Sequence, residues 1–504
     1  MNPDNTEIFV ASPGTGKTTR LMDLLGGLLE DGVSPRRIVY TTMSRAGSGE
    51  GRERALTRFT GLSEGQMPFF KTLHSIGFNV GTNKTMIKRS DYIELGKRTG
   101  FPMKGSEIAS GEGYFNGDQL INMDKLRRLR CQTYEEAFMD CGKAWLTVGD
   151  FEYIGDSYEN YKKSMGLIDY TDMIGEFVRS EQTLPVDYLF VDEAQDSSRL
   201  QWKMLELIGS TCKKIWVAGD DKQCIYEFTG ADPDTLIQLE GKRTVLDQSY
   251  RIPKPVHDYA ETIAGKIKHK AEYTFKPRKG TGGVKRIRDL AELNLKEGKW
   301  LLLARNKKFL ESYENMCMQQ GVLFTTIGSG GDNSDLPNYD DVTAVIAWNK
   351  LTKGGIITAK EAKILYGSYL PSRDRVKRGF KKVMLELSDD EVFTMDTLTS
   401  NYGLTCTEKW DIALKLDDTL KQYLKRVEEQ EGLAANPRIE INTMHGVKGK
   451  EADNVVMLPD MAYPSHKEME TNPDSEHRVF YVGATRAKEF LYLMPPSSKF
   501  YYDL

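Results

Sequence analysis

Two adjacent carboxylates, Asp192 and Glu193, form the first candidate site in the chain. They lie in the stretch VDEAQD and follow a short apolar run, Tyr188–Val191, which is typical of a buried strand. Hydrolysis of a nucleoside triphosphate needs such a pair, with one carboxylate to hold Mg²⁺ and a neighbour to polarise the attacking water. The stretch therefore predicts a catalytic group at the end of a strand.

A glycine-rich loop far upstream supplies the matching phosphate site. The stretch ASPGTGKT, residues 11–18, follows the strand-like run Glu7–Val10, although Ala11 stands where the strict pattern has glycine. Its glycines let backbone N–H groups close on phosphate, Lys17 reaches the outer phosphates, and Thr18 can bind the metal. The residues expected to bind the nucleotide here are Gly14, Thr15, Gly16, Lys17, Thr18 and Thr19. Either stretch alone could be an acidic turn or a plain loop, but together they predict binding and hydrolysis of ATP with Mg²⁺.

Bulk composition limits the remaining function classes. The 504 residues carry 28% charged side chains and a net charge of −4, so a nucleic-acid site must be a local groove and not a global basic field. The six cysteines form no C-x-x-C pair and the six histidines show no metal spacing, which favours a reduced cytoplasmic protein without structural zinc. No run of about 18 apolar residues occurs, so we expect neither membrane insertion nor export.

The order of the predicted elements indicates an α/β fold. A strand, the phosphate loop, a helix and the strand Ile38–Thr42 open a RecA-like domain, and a second α/β set is expected from Thr244–Leu246 onward. A Gly/Asn-rich break at Gly328–Asn333 marks a linker. The expected architecture is two RecA-like parallel-sheet domains, each with a mostly helical inserted subdomain. The predicted ranges are 1–79 with 165–243 for the first domain, 80–164 for its insertion, 244–331 with 437–504 for the second domain, and 332–436 for its insertion.

Six motifs in a fixed order carry a family resemblance over nearly the whole chain. They are ASPGTGKTT, YTTMSRA, VDEAQD, GDDKQCIYEFTGAD, LDQSYR, and the late pair TMHGVKGKE with YVGATRAKE. In this order they resemble the superfamily 1 DNA helicases of the UvrD/Rep/PcrA branch. The resemblance implies an ATP-dependent translocase on single-stranded DNA with 3′→5′ polarity, which unwinds duplexes by closing a cleft between two domains on ATP.

The same resemblance implies roles for individual residues around ATP. Asp192 and Thr18 would hold Mg²⁺, Tyr250 would stack on the base, and Glu451 would approach the ribose. The residues implied in catalysis are Lys17, Glu193, Gln223, Arg251 and Arg486, of which the two arginines would come from the second domain. An arginine at either position could instead form an ordinary surface ion pair.

A second implied set would bind the DNA strand. Tyr226 and Phe228 resemble aromatic residues on which single-strand bases stack, and packing at a domain interface is the plain alternative. The residues implied in DNA binding are His74, Tyr226, Phe228, Arg305 and His445.

The chain departs from the family pattern in three places. No glutamine occurs in the ten residues before Ala11, where the family carries its adenine-reading motif. Thr42 replaces a phenylalanine that serves as a stacking platform. The family's hairpin that separates duplex strands is expected after Leu493, where only ten residues follow Met494. Both insertions also look shorter than in larger members. These features suggest a compact member of the family, for which a viral origin is one interpretation.

Other functions remain open at this stage. The same ATPase could gate a DNA-bound remodelling or recruitment protein with little unwinding of its own. A small-molecule kinase is disfavoured, because it needs neither a second α/β domain nor the arginine of YVGATRA. Expected partners are single-stranded DNA, junctions of single and double strands, and a replication, repair or defence protein, at the nucleoid or at a viral replication site.

Overall fold

The protein divides into two compact units. The computed structural model describes residues 1–43, 45–59, 62–79, 84–105, 116–141, 145–326, 339–372, 374–430, 432–433 and 437–504. The first unit contains Met1–Ile252, Thr262–Lys279 and Asn472–Tyr481, and the second contains Pro253–Glu261, Gly280–Thr471 and Val482–Leu504. The predicted linker at Gly328–Asn333 lies outside the described residues.

A parallel sheet forms the centre of the first unit. Its described strands, in spatial order, are Ile38–Thr42, Tyr188–Asp192, Lys214–Gly219, Thr6–Ala11 and Lys242–Leu246. Because all neighbours run parallel, the loops after these strands meet at one edge, which we call the carboxyl edge of the first sheet. Apolar clusters cover both faces, with Ile8, Leu189 and Val217 in one and Phe9, Phe190 and Ala218 in the other. The near-continuous apolar character of the strands follows from this two-sided burial.

Helices surround the first sheet and form its insertion. Those of the parent domain are Lys17–Glu30, Arg45–Arg58, Leu73–Asn79, Tyr170–Arg179, Arg199–Gly209 and Pro233–Gln238. Those of the insertion are Arg89–Thr99, Asn116–Arg130, Tyr134–Cys141 and Val148–Met165. Small two-stranded sheets pair Thr85–Met86 with Leu167–Ile168, and Gln248–Pro253 with Lys276–Arg278.

The helix Tyr170–Arg179 shows how local sequence starts an element. Asp169 caps it by accepting the backbone N–H of Asp172 at 2.8 Å, while the Asp172 carboxylate accepts the N–H of Asp169 at 2.9 Å. Two basic side chains of the insertion, Arg128 and Lys162, reach the same pair of carboxylates at 2.6–3.0 Å. The insertion is therefore fixed to the parent domain by a buried ion cluster.

A second parallel sheet forms the centre of the second unit. Its described strands, in spatial order, are Gly283–Arg286, Ala487–Leu493, Ala452–Met457, Trp300–Ala304, Ile439–Thr443 and Phe324–Thr326. Its helices are Leu310–Gln320, Tyr339–Thr352, Ala359–Ile364, the π-helix Leu365–Tyr369, Phe380–Leu385, Met395–Asn401, Trp410–Ala413, Asp418–Gln430 and Tyr463–Thr471. A short antiparallel pair joins Ile357–Thr358 to Val392–Phe393, and two further helices run over Lys254–Lys266 and Pro473–Ala484.

The predicted fold class is confirmed, with one local correction. Two parallel sheets are present, and helices make up most of the stretches inserted into them. The strand Lys242–Leu246, however, pairs with Thr6–Ala11, so the residues expected to open the second α/β set belong to the first sheet. The sequence did not reveal this because a lone edge strand after a helix suits either sheet. The full set of domain boundaries stays a prediction. Among the described helices, none has the length and apolar character to cross a membrane.

Candidate nucleotide site and strand-binding residues

The phosphate loop has the backbone shape that its glycines permit. Gly14 and Gly16 have φ of 72° and 84°, and Gly16 precedes the first turn of the helix Lys17–Glu30. A Cβ on Gly14 would lie 2.4 Å from the Cβ of Arg251, so glycine is required there by space as well as by backbone conformation. Thr15 closes the turn by donating its hydroxyl to the carbonyl of Ser12 at 2.8 Å. The helix thus starts with open backbone N–H groups, as an anion site needs.

Thr18 and Asp192 meet at the carboxyl edge of the first sheet. The Thr18 hydroxyl donates to Oδ2 of Asp192 at 2.7 Å, and the Tyr40 hydroxyl donates to the same oxygen at 2.9 Å. Burial, and then the neighbouring Glu193, raise the pKa of the Asp192 carboxyl, while burial holds the pKa of Tyr40 well above its ordinary value. A divalent cation beside Asp192 would offset that cost, so these groups fit a magnesium site.

Glu193 is connected to Gln223 by a chain of hydrogen bonds. Glu193 itself has φ of 53°, a conformation that is uncommon for a residue with a side chain and is found often at functional sites. Gln195 donates its amide N–H to Glu193 at 2.5 Å and accepts the backbone N–H of Asp220 at 3.0 Å. Gln223 in turn donates to the Asp220 carboxylate at 2.7 Å. The two residues predicted to orient water and to sense phosphate therefore belong to one network.

One buried hydroxyl in the loop fits a bound phosphate. The Ser12 side chain is fully buried, and its Oγ has no hydrogen-bond partner among the described residues. Leaving such a group without a partner costs free energy, which a phosphate oxygen would recover. The Lys17 ammonium donates to the carbonyl of Ala11 at 3.2 Å, so its position is set from within the loop. Thr19, on the first turn of the helix, is exposed.

Tyr250 and Arg251 lie against the phosphate loop within the first unit. The backbone N–H of Tyr250 donates to the carbonyl of Gly14 at 2.8 Å, and the Ser249 hydroxyl donates to the carbonyl of Pro13 at 3.0 Å. The Tyr250 side chain is 75% exposed. Arg251 was expected to belong to the second domain, and this expectation is wrong. The residue lies in the first unit, and its strand, Gln248–Pro253, pairs with Lys276–Arg278 and not with the second sheet.

A further acidic pair lies behind Gln223. Tyr273 donates its hydroxyl to the carboxylates of both Asp220 and Asp221, and Asp221 also accepts the backbone N–H of Ala271 at 3.1 Å. Burial, and then Asp220, raise the pKa of Asp221 to about 6. The carboxyl edge of the first sheet is therefore rich in buried acid.

The strand-binding candidates of the first unit lie on two segments. Tyr226 precedes the short turn Glu227–Thr229 and Phe228 lies within it, with their ring centroids 6.2 Å apart and Phe228 49% exposed. His74 is near the start of the helix Leu73–Asn79, and its ring meets the edge of Tyr170 at 6.0 Å. Phe228 is exposed and Tyr226 is half-buried, and aromatic rings that solvent reaches can stack on bases.

The second sheet separates its predicted residues between two edges. Glu451 and Arg486 directly precede the paired strands Ala452–Met457 and Ala487–Leu493, at the amino edge. Arg486 is buried and donates to the carbonyls of Val482 at 2.9 Å and Lys450 at 3.3 Å, and to the Thr485 hydroxyl at 3.1 Å. Glu451 pairs with Lys488 at 2.7 Å.

Arg305 and His445 lie at the opposite edge, where two neighbouring strands end. Arg305 follows Trp300–Ala304, and His445 comes just after Ile439–Thr443. The backbone N–H of Met444 donates to the carbonyl of Ala304 at 3.0 Å, which holds the two loops side by side. The nucleotide and DNA candidates of this sheet are thus separated by the length of its strands.

Several residues of the site were missed from sequence. Tyr40, Gln195 and Asp220 hold the predicted catalytic groups, and Ser12 supplies a buried hydroxyl. A signal existed for Gln195, because an amide between two acidic residues after a buried strand needs a partner. No local pattern marks Tyr40, whose neighbour Asp192 is 152 positions away.

Two helicase family profiles match separate parts of the chain. The family profile of the UvrD/REP helicase N-terminal domain matches residues 2–244, and that of the UvrD-like helicase C-terminal domain matches residues 385–497. The first profile covers the phosphate loop, the acidic strand end and the aromatic turn. The second covers the strand end of His445 and the YVGATRA motif.

Relatives cover different shares of the chain. The ATP-dependent DNA helicase srs2 of Schizosaccharomyces pombe is 22% identical over 98% of this chain and 70% of its own length. The ATP-dependent DNA helicase Rep of Escherichia coli is 25% identical over 48% of this chain, and PcrA of Staphylococcus epidermidis is 25% identical over 53%. These two alignments span 39% and 38% of the relatives, well under half of their length.

Proposed function

Because the chain belongs to the UvrD/Rep helicase family, we propose that it is an ATP-dependent DNA helicase that moves along single-stranded DNA. The finer proposals are 3′→5′ polarity and coupling of strand movement to hydrolysis at the carboxyl edge of the first sheet. The observation that carries the proposal is the meeting of Thr18 with Asp192 at 2.7 Å, beside a loop whose buried Ser12 hydroxyl needs a partner.

The proposed chemistry assigns each group of the edge a task. The loop N–H groups and Lys17 hold the phosphates of ATP, and Thr18 with Asp192 would hold Mg²⁺, which neutralises charge on the outer phosphates when bound. Glu193 accepts a proton from the attacking water and is held for this by Gln195. Arg251 and Gln223 contact the outer phosphate, and Arg486 stabilises the charge that develops on it.

The proposed strand path uses groups that do not read sequence. Tyr226 and Phe228 stack on bases, while His74, Arg305 and His445 contact the backbone. The pairing of Arg305 and His445 at neighbouring strand ends supports a shared role in holding one strand. Binding should weaken steeply with salt, because contacts to phosphate release counterions.

Single-turnover and steady-state assays test the proposal. ATP hydrolysis should rise on addition of single-stranded DNA, and a duplex with a 3′ tail should be opened faster than one with a 5′ tail. Lys17→Ala is the control, because it removes the phosphate contact without changing the surface proposed to bind DNA.

Two results would change the assignment. Stimulated hydrolysis without opening of any tailed duplex would favour a remodelling or recruitment protein. Hydrolysis that ignores single-stranded DNA altogether would contradict the proposed function.

A further inference from the structure

Arg478 is a nearly buried side chain that joins three separate segments of the first unit. Its Nε donates to the carbonyl of Asp221 at 3.1 Å, one Nη to the carboxylate of Glu227 at 2.6 Å, and the other to the carbonyl of His269 at 2.6 Å. The side chain is 3% exposed. A planar guanidinium donates in several fixed directions at once, which suits it to such a junction.

Two of these partners adjoin residues with proposed roles. Asp221 belongs to the short turn Asp221–Gln223, which contains the proposed phosphate sensor. Glu227 begins the turn Glu227–Thr229 and lies between Tyr226 and Phe228, the proposed stacking residues. Arg478 therefore bonds both turns through one planar guanidinium: the turn that contains the proposed phosphate sensor and the turn that carries the proposed stacking residues.

Besides Arg478, two more polar side chains hold the aromatic turn through Glu227. Asn472 donates to the second carboxylate oxygen of Glu227 at 3.3 Å, and Arg130 of the insertion donates to its backbone carbonyl at 3.2 Å. Beside these contacts lies a polar cavity of about 310 Å³, lined among others by Glu227, Arg478 and His269. The ion pair of Glu227 with Arg478 is thus one of the side-chain contacts that set the position of the turn, and the shortest of these three.

We propose that Arg478 is a positioning residue that transmits the nucleotide state from the segment Asp221–Gln223 to the aromatic turn carrying Tyr226 and Phe228. This inference rests on the proposed function, since it needs Gln223 near phosphate and the two aromatics on DNA. A displacement of the Asp221 carbonyl moves the guanidinium, and the guanidinium moves Glu227 with it. The affinity of the turn for a base then differs between nucleotide states.

Coupling between ATP and DNA is the property to measure. The coupling ratio is the Kd for a single-stranded oligonucleotide without nucleotide divided by the Kd with a non-hydrolysable ATP analogue. We expect Arg478→Gln and Glu227→Gln each to bring this ratio about tenfold closer to one, as loss of a charged hydrogen bond predicts. The double variant should show the same change in the coupling ratio as either single variant, because each substitution breaks the same Arg478–Glu227 link between the two turns.

Matched variants separate coupling from folding. Arg199→Gln is the control, since Arg199 lines the same cavity but pairs with Asp232 at 2.6 Å and not with Glu227 or Asp221. Arg478→Lys keeps the charge but cannot donate in three fixed directions, so it should restore Tm more than it restores the coupling ratio. Glu227→Gln is close in shape to the original residue and serves if Arg478 variants do not fold.

The results of these experiments separate the inference on Arg478 from the proposed function. A wild-type coupling ratio in both glutamine variants would overturn the inference. A wild-type protein with DNA-stimulated hydrolysis but equal DNA affinity in both nucleotide states would overturn it too, and would leave the proposed function standing. Loss of coupling in the Arg478 and Glu227 variants, with Arg199→Gln unchanged, is the expected result.

Discussion

The two parallel sheets place their nucleotide candidates at opposite edges. In the first sheet they lie after the strands, where Gly14, Gly16 and Glu193 hold unusual backbone conformations. In the second sheet Glu451 and Arg486 lie before the strands. The loops at the carboxyl edge of the first sheet expose backbone N–H groups and contain several buried carboxyl groups. The amino edge of the second sheet includes the buried Arg486, which donates to two carbonyl oxygens and one hydroxyl oxygen. The two sheets thus share one architecture and present different groups at these edges, because the loops that join their strands differ.

The largest loss of activity should come from substitutions at the carboxyl edge of the first sheet. Lys17→Ala removes the phosphate contact and Glu193→Gln removes the proton acceptor, so each should lower kcat for ATP by about 10³-fold. Glu193→Gln should still bind ATP, since its shape is kept. Steady-state hydrolysis and equilibrium binding of a fluorescent ATP analogue measure the two properties. Lys307→Ala, an exposed change after a strand of the second sheet, is the control. A similar fall of kcat in Lys307→Ala would show that the loss of activity is not specific to the carboxyl edge of the first sheet.

The next largest effect should come from the amino edge of the second sheet. Arg486→Gln should lower kcat by about 10²-fold, because the arginine is proposed to stabilise charge on the transferring phosphoryl group. Binding of ATP should change far less than turnover. Thermal unfolding is measured in parallel, since the buried side chain also bonds the carbonyls of Val482 and Lys450. Near-normal turnover in a folded variant would contradict a catalytic role for this edge.

Sequence reasoning located structural elements correctly where their pattern is local. The phosphate loop and the acidic strand end could be predicted because each keeps its groups within a few residues of one strand, and parallel pairing brings the ends together. It failed for contacts that depend on tertiary placement. The strand Lys242–Leu246 was given to the wrong sheet, and Arg251 was expected to belong to the second domain but lies in the first unit, against the phosphate loop. Arg478 carried no signal, since its partner Glu227 is 251 positions away.

The buried carboxyl group of Asp221 should make the free energy of unfolding depend on pH. The pKa of Asp221 is raised by burial to about 6, above the ordinary value near 4, so between these values the folded protein keeps a proton that the unfolded chain releases. This contribution is full below about pH 4 and is lost as pH rises through 6, at a cost of about 3 kcal/mol. Asp221→Asn should flatten the free energy of unfolding across that range. Urea unfolding at several pH values measures it, and an unchanged slope would show that Asp221 is ionised throughout.

A smaller effect is expected at the aromatic turn. Tyr226→Ala or Phe228→Ala should weaken binding of single-stranded DNA by about 1–3 kcal/mol, equally for different base sequences. Fluorescence anisotropy with oligonucleotides of several compositions tests this. If the rings serve only in packing, affinity would be kept and Tm would fall instead. Phe228 is the sharper test, because its side chain is about half exposed and its loss should disturb packing least.

The smallest effect concerns the base of the nucleotide. Tyr250 is 75% exposed and is anchored to the phosphate loop by its backbone and not by its ring, so the ring can be changed without moving Gly14. Stacking of one aromatic ring is worth about 0.5–1.5 kcal/mol. Tyr250→Ala should therefore raise KM for ATP by about threefold to tenfold and leave kcat unchanged. Tyr250→Phe should behave as the original protein, because the proposed contact uses the ring face.

Since every purine offers a face for stacking, KM for GTP should rise by the same factor in Tyr250→Ala. A change in the ratio of the two KM values would show instead that Tyr250 reads the edge of the base through its hydroxyl.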